Sequence, residues 1–139
     1  MLVGGFAAVL HGSDRVTTDI DLAFAPDPGN LEHLVEALRP LRPILPRARA
    51  YREDHWDARA LGGPWIRLRT DAGVVDLMRR LPGIDSFDGL WNRAVSVELF
   101  GTQVRVASVE DLIQMKQNTG RARDRYDIDV LRALRDDSL

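Results

Sequence analysis

Apolar and polar residues alternate clearly from residue 17 to residue 24, and this alternation predicts a β-strand. Asp19 and Asp21 fall on one face of the strand, because successive side chains point to opposite faces. Ile20 and Leu22 fall on the other face, which we expect to pack against the core. The strand therefore presents two carboxylates side by side, and the turn residues 26–29 end it.

Five further segments show the apolar pattern of helices. Asn30 and Ser108 are expected to cap two of them, because their side chains accept hydrogen bonds from free backbone N–H groups. Gly12 is expected to follow the end of the first. The predicted helices cover residues 6–10, a segment between Asn30 and Pro40, and residues 86–94, 109–118 and 121–135.

Four more segments alternate with a period of two and predict two β-hairpins, over residues 65–70 with 74–78 and 95–100 with 103–107. Leu2-Val3 adds a short stub of strand. Residues 42–63 show no clear period, so we predict a loop with one irregular turn. The mixture of strands and helices predicts an α/β (α+β) fold, in which helices flank a mixed sheet.

Length and composition exclude several classes of protein. The chain has 139 residues, 45% of them hydrophobic and 29% charged, which suits one globular domain over residues 1–139. No apolar run approaches the roughly 20 residues that span a bilayer, so we expect no membrane partner. Cysteine is absent and no signal peptide is recognisable, so we expect a cytoplasmic protein. Because the first strand is so short, we also expect that an N-terminal element is missing.

Asp19 and Asp21 predict a site for a hard divalent cation, and magnesium is the expected ion. Two like charges held side by side on a partly buried strand repel each other unless a cation lies between them. Asp76 brings a third carboxylate to the middle of the strand 74–78, which a mixed sheet can place beside the first. On spacing alone, Asp76 is equally well explained as a solvent-facing aspartate.

Gly4 and Gly5 follow the strand stub and open the first helix, where free backbone N–H groups attract an anion such as phosphate. A Gly-Gly pair by itself more often forms a tight turn. The position of this pair supports the phosphate hypothesis, because the 13 residues between Gly5 and Asp19 allow the chain to return and bring the two features face to face.

Together, Gly4-Gly5, Asp19-Ile-Asp21 and the distant Asp76 resemble the nucleotidyltransferase superfamily of the DNA polymerase β type. Two longer segments resemble AbiEii-type nucleotidyltransferase toxins and their small relatives. They are GGFAAVLHGSDRVTTDIDL and SVEDLIQMKQNTGRARDRYDIDVL. The resemblance extends from Gly4 to Leu131 and implies the nucleotidyltransferase fold. It also implies that Asp19, Asp21 and Asp76 bind two magnesium ions, with Asp76 in addition acting as, or orienting, the base for an acceptor hydroxyl.

The residues that the resemblance implies for binding the phosphates of an NTP are Gly4, Gly5, Arg15, Thr18, Lys116 and Arg121. Lys116 is the only lysine among 19 basic residues, and a lysine suits a triphosphate as a compact point charge. A solvated helix lysine is the alternative for Lys116, and a solvated loop residue is the alternative for Arg15. The family pattern has Gly-Ser at the glycine motif, whereas this chain has Gly5 in place of the serine.

The resemblance implies an enzyme that moves a nucleoside monophosphate from an NTP to an acceptor hydroxyl with magnesium. In a toxin-like version the acceptor is a tRNA 3′ end or a protein, and an antitoxin-like protein is a partner. In a resistance version it is an aminoglycoside or a lincosamide. A non-catalytic relative that binds a nucleotide or a partner protein is a third hypothesis, which Gly5 favours and the three carboxylates with Lys116 disfavour.

Overall fold

The computed structural model describes residues 1–138 and shows a mixed β-sheet of six strands with helices on both faces. The strands are β1 (Leu2–Val3), β2 (Asp19–Ala23), β3 (Trp65–Thr70), β4 (Gly73–Met78), β5 (Val95–Leu99) and β6 (Thr102–Val106). They lie in the order β3-β4-β2-β1-β6-β5. Both predicted hairpins are present, as β3-β4 and β5-β6. The predicted fold class is therefore confirmed.

The helices are α1 (Gly4–Leu10), α2 (Pro28–Leu38), α3 (Phe87–Arg93), α4 (Val109–Gln117) and α5 (Asp124–Asp137). Ser108 caps α4 as predicted, because its hydroxyl accepts a hydrogen bond from the Asp111 backbone N–H. The predicted cap of α2 is wrong. Asp27 is the cap, and its side chain accepts a hydrogen bond from the Asn30 backbone N–H. Pro28 suits the first turn that follows, because its nitrogen carries no hydrogen that would need a partner there. Within residues 1–138, none of the helices is long and apolar enough to cross a membrane.

The register of three neighbouring strands places three charged residues in one row. β2 runs parallel to β4 with Asp21 opposite Asp76. β3 runs antiparallel to β4 with Arg67 opposite Asp76. Because paired residues of adjacent strands point to the same face, these three side chains share one face of the sheet. Asp19 joins them, two residues before Asp21 on β2.

Two apolar clusters hold the helices against the sheet. The first contains buried residues of β1, α1, α4 and α5, among them Val3, Ala7, Leu112 and Leu131. The second joins α2 to β3 and β4 and includes Val35, Leu38, Leu68 and Leu77. The row of charged residues lies beside the first cluster, because Val3 and Leu112 line the same pocket as these charged side chains.

The segment 42–63 contributes to the second cluster. Its prediction as a loop with one irregular turn is wrong in the number of turns. It contains two short 3-10 turns, Glu53–His55 and Ala58–Leu61. These turns bury Leu61 and also Trp56, whose indole N–H donates to the Val35 carbonyl oxygen at 2.9 Å. Their sequence has no helical period, because each turn buries a single large side chain.

The predicted burial of Ile20 is also wrong. Ile20 is 39% exposed, although it lies on the apolar face of β2 as the alternation requires. The cluster beneath α2 reaches Leu22 and Phe24 and ends there, so no helix covers the start of the strand. Alternation therefore predicted the face of the sheet correctly, but it did not show how far the covering helix extends.

Candidate active site

A pocket of about 260 Å³ opens between the row of charged residues and the helices α4 and α5. It is lined by all the residues predicted to bind metal or nucleotide, with the exception of Thr18. Asp19, Asp21 and Asp76 lie on the sheet, and we call them the carboxylate side. Arg15 and Lys116 lie opposite, and we call them the basic side. The fold thus brings together residues as far apart in the chain as Gly4 and Arg121.

Arg67 joins the carboxylate side from the neighbouring strand. Its Nε donates to Asp76 Oδ1 at 2.9 Å, and its Nη2 donates to Asp76 Oδ2 at 2.7 Å. The same Nη2 donates to Asp19 Oδ2 at 2.8 Å. The Asp76 side chain is only 3% exposed, whereas that of Arg67 is 51% exposed. A buried carboxylate therefore receives a two-pronged hydrogen bond from a guanidinium that is half exposed.

The carboxylate side carries more negative charge than Arg67 can balance. The pKa of Asp21 is raised to about 6, first by burial and then by the negative charges of Asp76 and Asp19. A hydrogen bond from the Gly5 backbone and the charge of Arg67 oppose this rise without cancelling it. Three carboxylates against one guanidinium leave an excess of two negative charges, which is the condition that attracts a divalent cation.

The two glycines have different structural reasons to be glycine. Gly4 has a φ of +66°, and a Cβ there would overlap the Oδ2 atom of Asp21. A Cβ on Gly5 would lie 3.2 Å from Thr17 Oγ1 and 3.3 Å from Arg15 Nε. Gly4 thus makes room for a carboxylate of the site, and Gly5 makes room for a hydroxyl and a guanidinium. A side chain at position 5 would therefore crowd Thr17 and Arg15.

Thr17 lines the pocket beside the carboxylates, whereas the predicted Thr18 does not. Thr18 is exposed and lies outside the pocket lining. The Thr17 hydroxyl lies 3.1 Å from the Asp19 carbonyl oxygen and 3.3 Å from Asp19 Oδ1. Strand alternation explains the difference, because residue 17 has the same parity as the two aspartates of β2 and residue 18 does not.

The basic side is held in place by aspartates of α5. Lys116 Nζ lies 2.6 Å from Asp127 Oδ2 and 3.6 Å from Asp124 Oδ1. Arg15, from the loop between α1 and β2, also donates to Asp127 Oδ2. The Lys116 side chain is 12% exposed and that of Arg15 is 33% exposed. The alternative interpretation of each residue was a solvated side chain, and neither side chain is fully solvated.

Further residues of the pocket were not found from the sequence. Arg67 is one of them, and Trp65, which is 54% exposed beside Arg67, is another. Asp127 lies behind the pocket lining, where it bonds Lys116 and Arg15, and it was not found either. A signal for Arg67 existed, because the predicted turn at residues 71–73 sets a hairpin register in which Arg67 faces Asp76. No signal existed for Asp127, because its contacts depend on how α4 and α5 pack.

The donor atoms of the carboxylate side suit magnesium, which prefers carboxylate oxygens and an open site. Within residues 1–138, no group of three or more His, Asp or Glu side chains is already arranged around a metal position. The Arg67 guanidinium lies between Asp19 and Asp76, where a cation shared by these carboxylates has to lie. The residues therefore fit the ion, provided that the guanidinium moves away.

Comparisons with known proteins identify the family of the chain and two structures of similar fold. The profile of a family described as "Nucleotidyltransferase of unknown function (DUF6036)" matches residues 1–135. The lincomycin-bound lincosamide antibiotic adenylyltransferase LnuA has a TM-score of 0.60 and 18% identity, over 96% of this chain and 85% of its own. An antigenic nucleotidyltransferase-like protein from Paracoccidioides brasiliensis has a TM-score of 0.51 and 19% identity, over 96% of this chain and 65% of its own. These two structures show a shared fold. No curated protein matches the chain.

Proposed function

The chain belongs to this nucleotidyltransferase family, and on that basis we propose that it transfers a nucleoside monophosphate from an NTP to an acceptor hydroxyl in a magnesium-dependent reaction. The protein is an enzyme of the nucleotidyltransferase superfamily. The observation that supports the magnesium-dependent reaction is the pocket itself, in which three carboxylates face two anchored cations. Phosphoryl transfer needs this arrangement, because its catalysis consists mainly of positioning and charge neutralisation.

The basic side binds the triphosphate in this proposal. Lys116 offers a compact positive charge, and Arg15 offers a planar guanidinium that suits phosphate oxygens. Asp127 holds both groups in place before the substrate arrives, so little reorganisation accompanies binding. Arg121 is exposed at the pocket wall and adds a third cation. The turn at Gly4 and Gly5 lines the same pocket, and the Gly4 N–H is the proposed backbone donor to the phosphates, because the Gly5 backbone already bonds Asp21.

The carboxylate side holds magnesium and receives the acceptor. Asp19, Asp21 and Asp76 are the proposed ligands, and the bound ions would neutralise charge on the transferred group and on the leaving pyrophosphate. The acceptor oxygen bonds to the α-phosphorus while its proton passes to Asp76. The bond from the α-phosphorus to the oxygen that bridges to the β-phosphate breaks, and pyrophosphate leaves with that electron pair.

The leading acceptor is a tRNA 3′ end or a protein hydroxyl, as the resemblance to the AbiEii-type toxins implies, with an antitoxin-like protein as a partner. Arg121, Arg123 and Arg125 support an RNA acceptor, because all three are exposed and the first two line the pocket. Exposed arginines at an active-site mouth contact backbone phosphates without reading sequence.

A lincosamide or an aminoglycoside is the second candidate acceptor. LnuA, which its name describes as a lincosamide adenylyltransferase, favours this candidate because the match covers 85% of that chain. A small acceptor would enter the same pocket and present its hydroxyl to Asp76.

The proposed function is tested by incubating the protein with α-labelled NTPs, magnesium and three sets of acceptors, namely total RNA, cell protein, and lincosamides with aminoglycosides. Label is expected in one set, with none for Asp76→Asn. Asp71→Asn is the matched control, because Asp71 lies in the exposed turn of the same hairpin and is expected to leave labelling unchanged. The absence of label from every acceptor at all magnesium concentrations would contradict the proposal.

A further inference from the structure

We propose that Arg67 occupies the metal-binding position in the nucleotide-free protein and leaves it when the triphosphate binds. Metal binding then depends on the nucleotide, and the order of binding follows from a single side chain. This inference rests on the proposed function, because the cation that Arg67 replaces is the magnesium of that site.

The contacts of Arg67 engage the oxygens that a metal ion needs. Its Nε and Nη2 bind both oxygens of Asp76, at 2.9 and 2.7 Å, and the Nη2 also binds Asp19 at 2.8 Å. Guanidinium and magnesium are both cations that take the space between these carboxylates, so they exclude each other. A metal ion that binds alone therefore has to displace three charged hydrogen bonds.

Burial decides which partner moves. The side chain of Asp76 is 3% exposed and lies in the middle of a strand, so it has little room to turn away. The side chain of Arg67 is 51% exposed on β3, which is an edge strand of the sheet. The guanidinium is thus able to swing into the pocket mouth while the carboxylates stay in place.

The pocket offers Arg67 a second position. While it bonds the carboxylates, the guanidinium carbon already lies near the pocket mouth, 5.9 Å from the centroid of the exposed Trp65 ring. A triphosphate on the basic side would add anionic oxygens, which a guanidinium binds with two parallel hydrogen bonds. Since the nucleotide favours the displaced position and the metal requires it, each ligand increases the affinity for the other.

Binding of Mn²⁺, followed by electron paramagnetic resonance on the full chain without nucleotide, tests the inference. Arg67→Gln is expected to bind Mn²⁺ about 10-fold or more tighter than wild type, since displacing a charged hydrogen bond no longer opposes the ion. A non-hydrolysable NTP analogue is expected to tighten Mn²⁺ binding to wild type and to have much less effect on the variant. Arg69→Gln is the control, because Arg69 is exposed on the same strand and bonds the Ala48 carbonyl instead.

Two results separate this inference from the proposed function. Equal Mn²⁺ affinity of wild type and Arg67→Gln, with nucleotide binding intact, would overturn the role of Arg67 and leave the function standing. No Mn²⁺ binding by either protein, with or without nucleotide, would overturn both. Circular dichroism checks that Arg67→Gln is folded. If it is not, Arg67→Lys replaces it, with an expected increase of about threefold, because lysine keeps the charge but loses the two-pronged bond.

Discussion

The two sides of the pocket treat charge in opposite ways. On the basic side, Asp127 and the nearby Asp124 match the charges of Lys116 and Arg15. On the carboxylate side, three aspartates face the single guanidinium of Arg67. The charges of the basic side are therefore balanced without a ligand, whereas the carboxylate side keeps an excess of negative charge.

This difference separates groups that must be in place from groups that must capture an ion. Anchored cations hold their geometry for an incoming triphosphate, and the cost of fixing them is met during folding. Excess negative charge costs stability in the folded protein and is offset only when a cation binds. Removing a carboxylate is therefore expected to have opposite effects on the free energy of unfolding on the two sides.

The largest expected effect is on catalysis by the carboxylate side. Asp21→Asn is expected to reduce the transfer rate by about 100- to 1,000-fold, because the variant loses a group that stabilises charge in the transition state. The rate is measured with labelled NTP and the acceptor that the labelling experiment identifies. Asp71→Asn serves again as the control. A loss of less than about fivefold would show that Asp21 is not a metal ligand.

On the basic side, Asp127→Asn is expected to lower the free energy of unfolding by about 2–3 kcal/mol. The variant leaves the nearly buried ammonium of Lys116 with Asp124 alone, at 3.6 Å. Urea unfolding followed by circular dichroism measures the change. Asp129→Asn, on the same helix, removes an exposed carboxylate 3.8 Å from Arg132 and should change stability by less than about 0.5 kcal/mol.

Asp21→Asn is expected to do the opposite and to stabilise the metal-free protein. The pKa of Asp21 is about 6 in the folded protein and is higher than in the unfolded chain, so ionised Asp21 opposes folding. The stabilisation by the variant should be smallest below the unfolded pKa, at pH 4 or lower, grow between about pH 4 and pH 6, and level off at about 1–2 kcal/mol above pH 7. Urea unfolding at pH 4, 6 and 8 in a chelator measures this change in the free energy of unfolding. A variant that is less stable than wild type at pH 8 would contradict the view that the carboxylate side carries excess negative charge.

The smallest expected effect concerns the wall between the two sides. Trp65→Ala is expected to weaken NTP binding by about fivefold, because an exposed indole at the pocket offers a stacking surface for the base. Fluorescence titration compares it with Trp91→Ala, which removes a similarly exposed indole that lies against Arg105 and outside this pocket. Equal affinities of the two variants would remove Trp65 from the nucleotide site.

Much of the fold was predictable because local patterns determined it. The alternation in β2, the turns of both hairpins and the Ser108 cap are short-range features, and the structure contains all of them. The burial of Trp56 was not predictable, because it depends on the Val35 carbonyl, which is distant in sequence.

The pocket shows the same division. Strand alternation predicts that Asp19 and Asp21 share one face. The same rule places Thr17 on that face and Thr18 on the opposite one. Arg67 required one more step, the register of its hairpin. The anchoring of Lys116 by Asp127 joins two helices whose packing angle no local pattern encodes, so only the folded chain shows it.

Isothermal titration of an NTP into the protein, with and without magnesium, tests the central claim that the carboxylate side binds a metal-nucleotide complex. We expect heat of binding for wild type with magnesium, little binding in a chelator, and loss of the magnesium-dependent binding in Asp21→Asn. Binding of equal strength with and without magnesium, or binding that Asp21→Asn leaves unchanged, would contradict it.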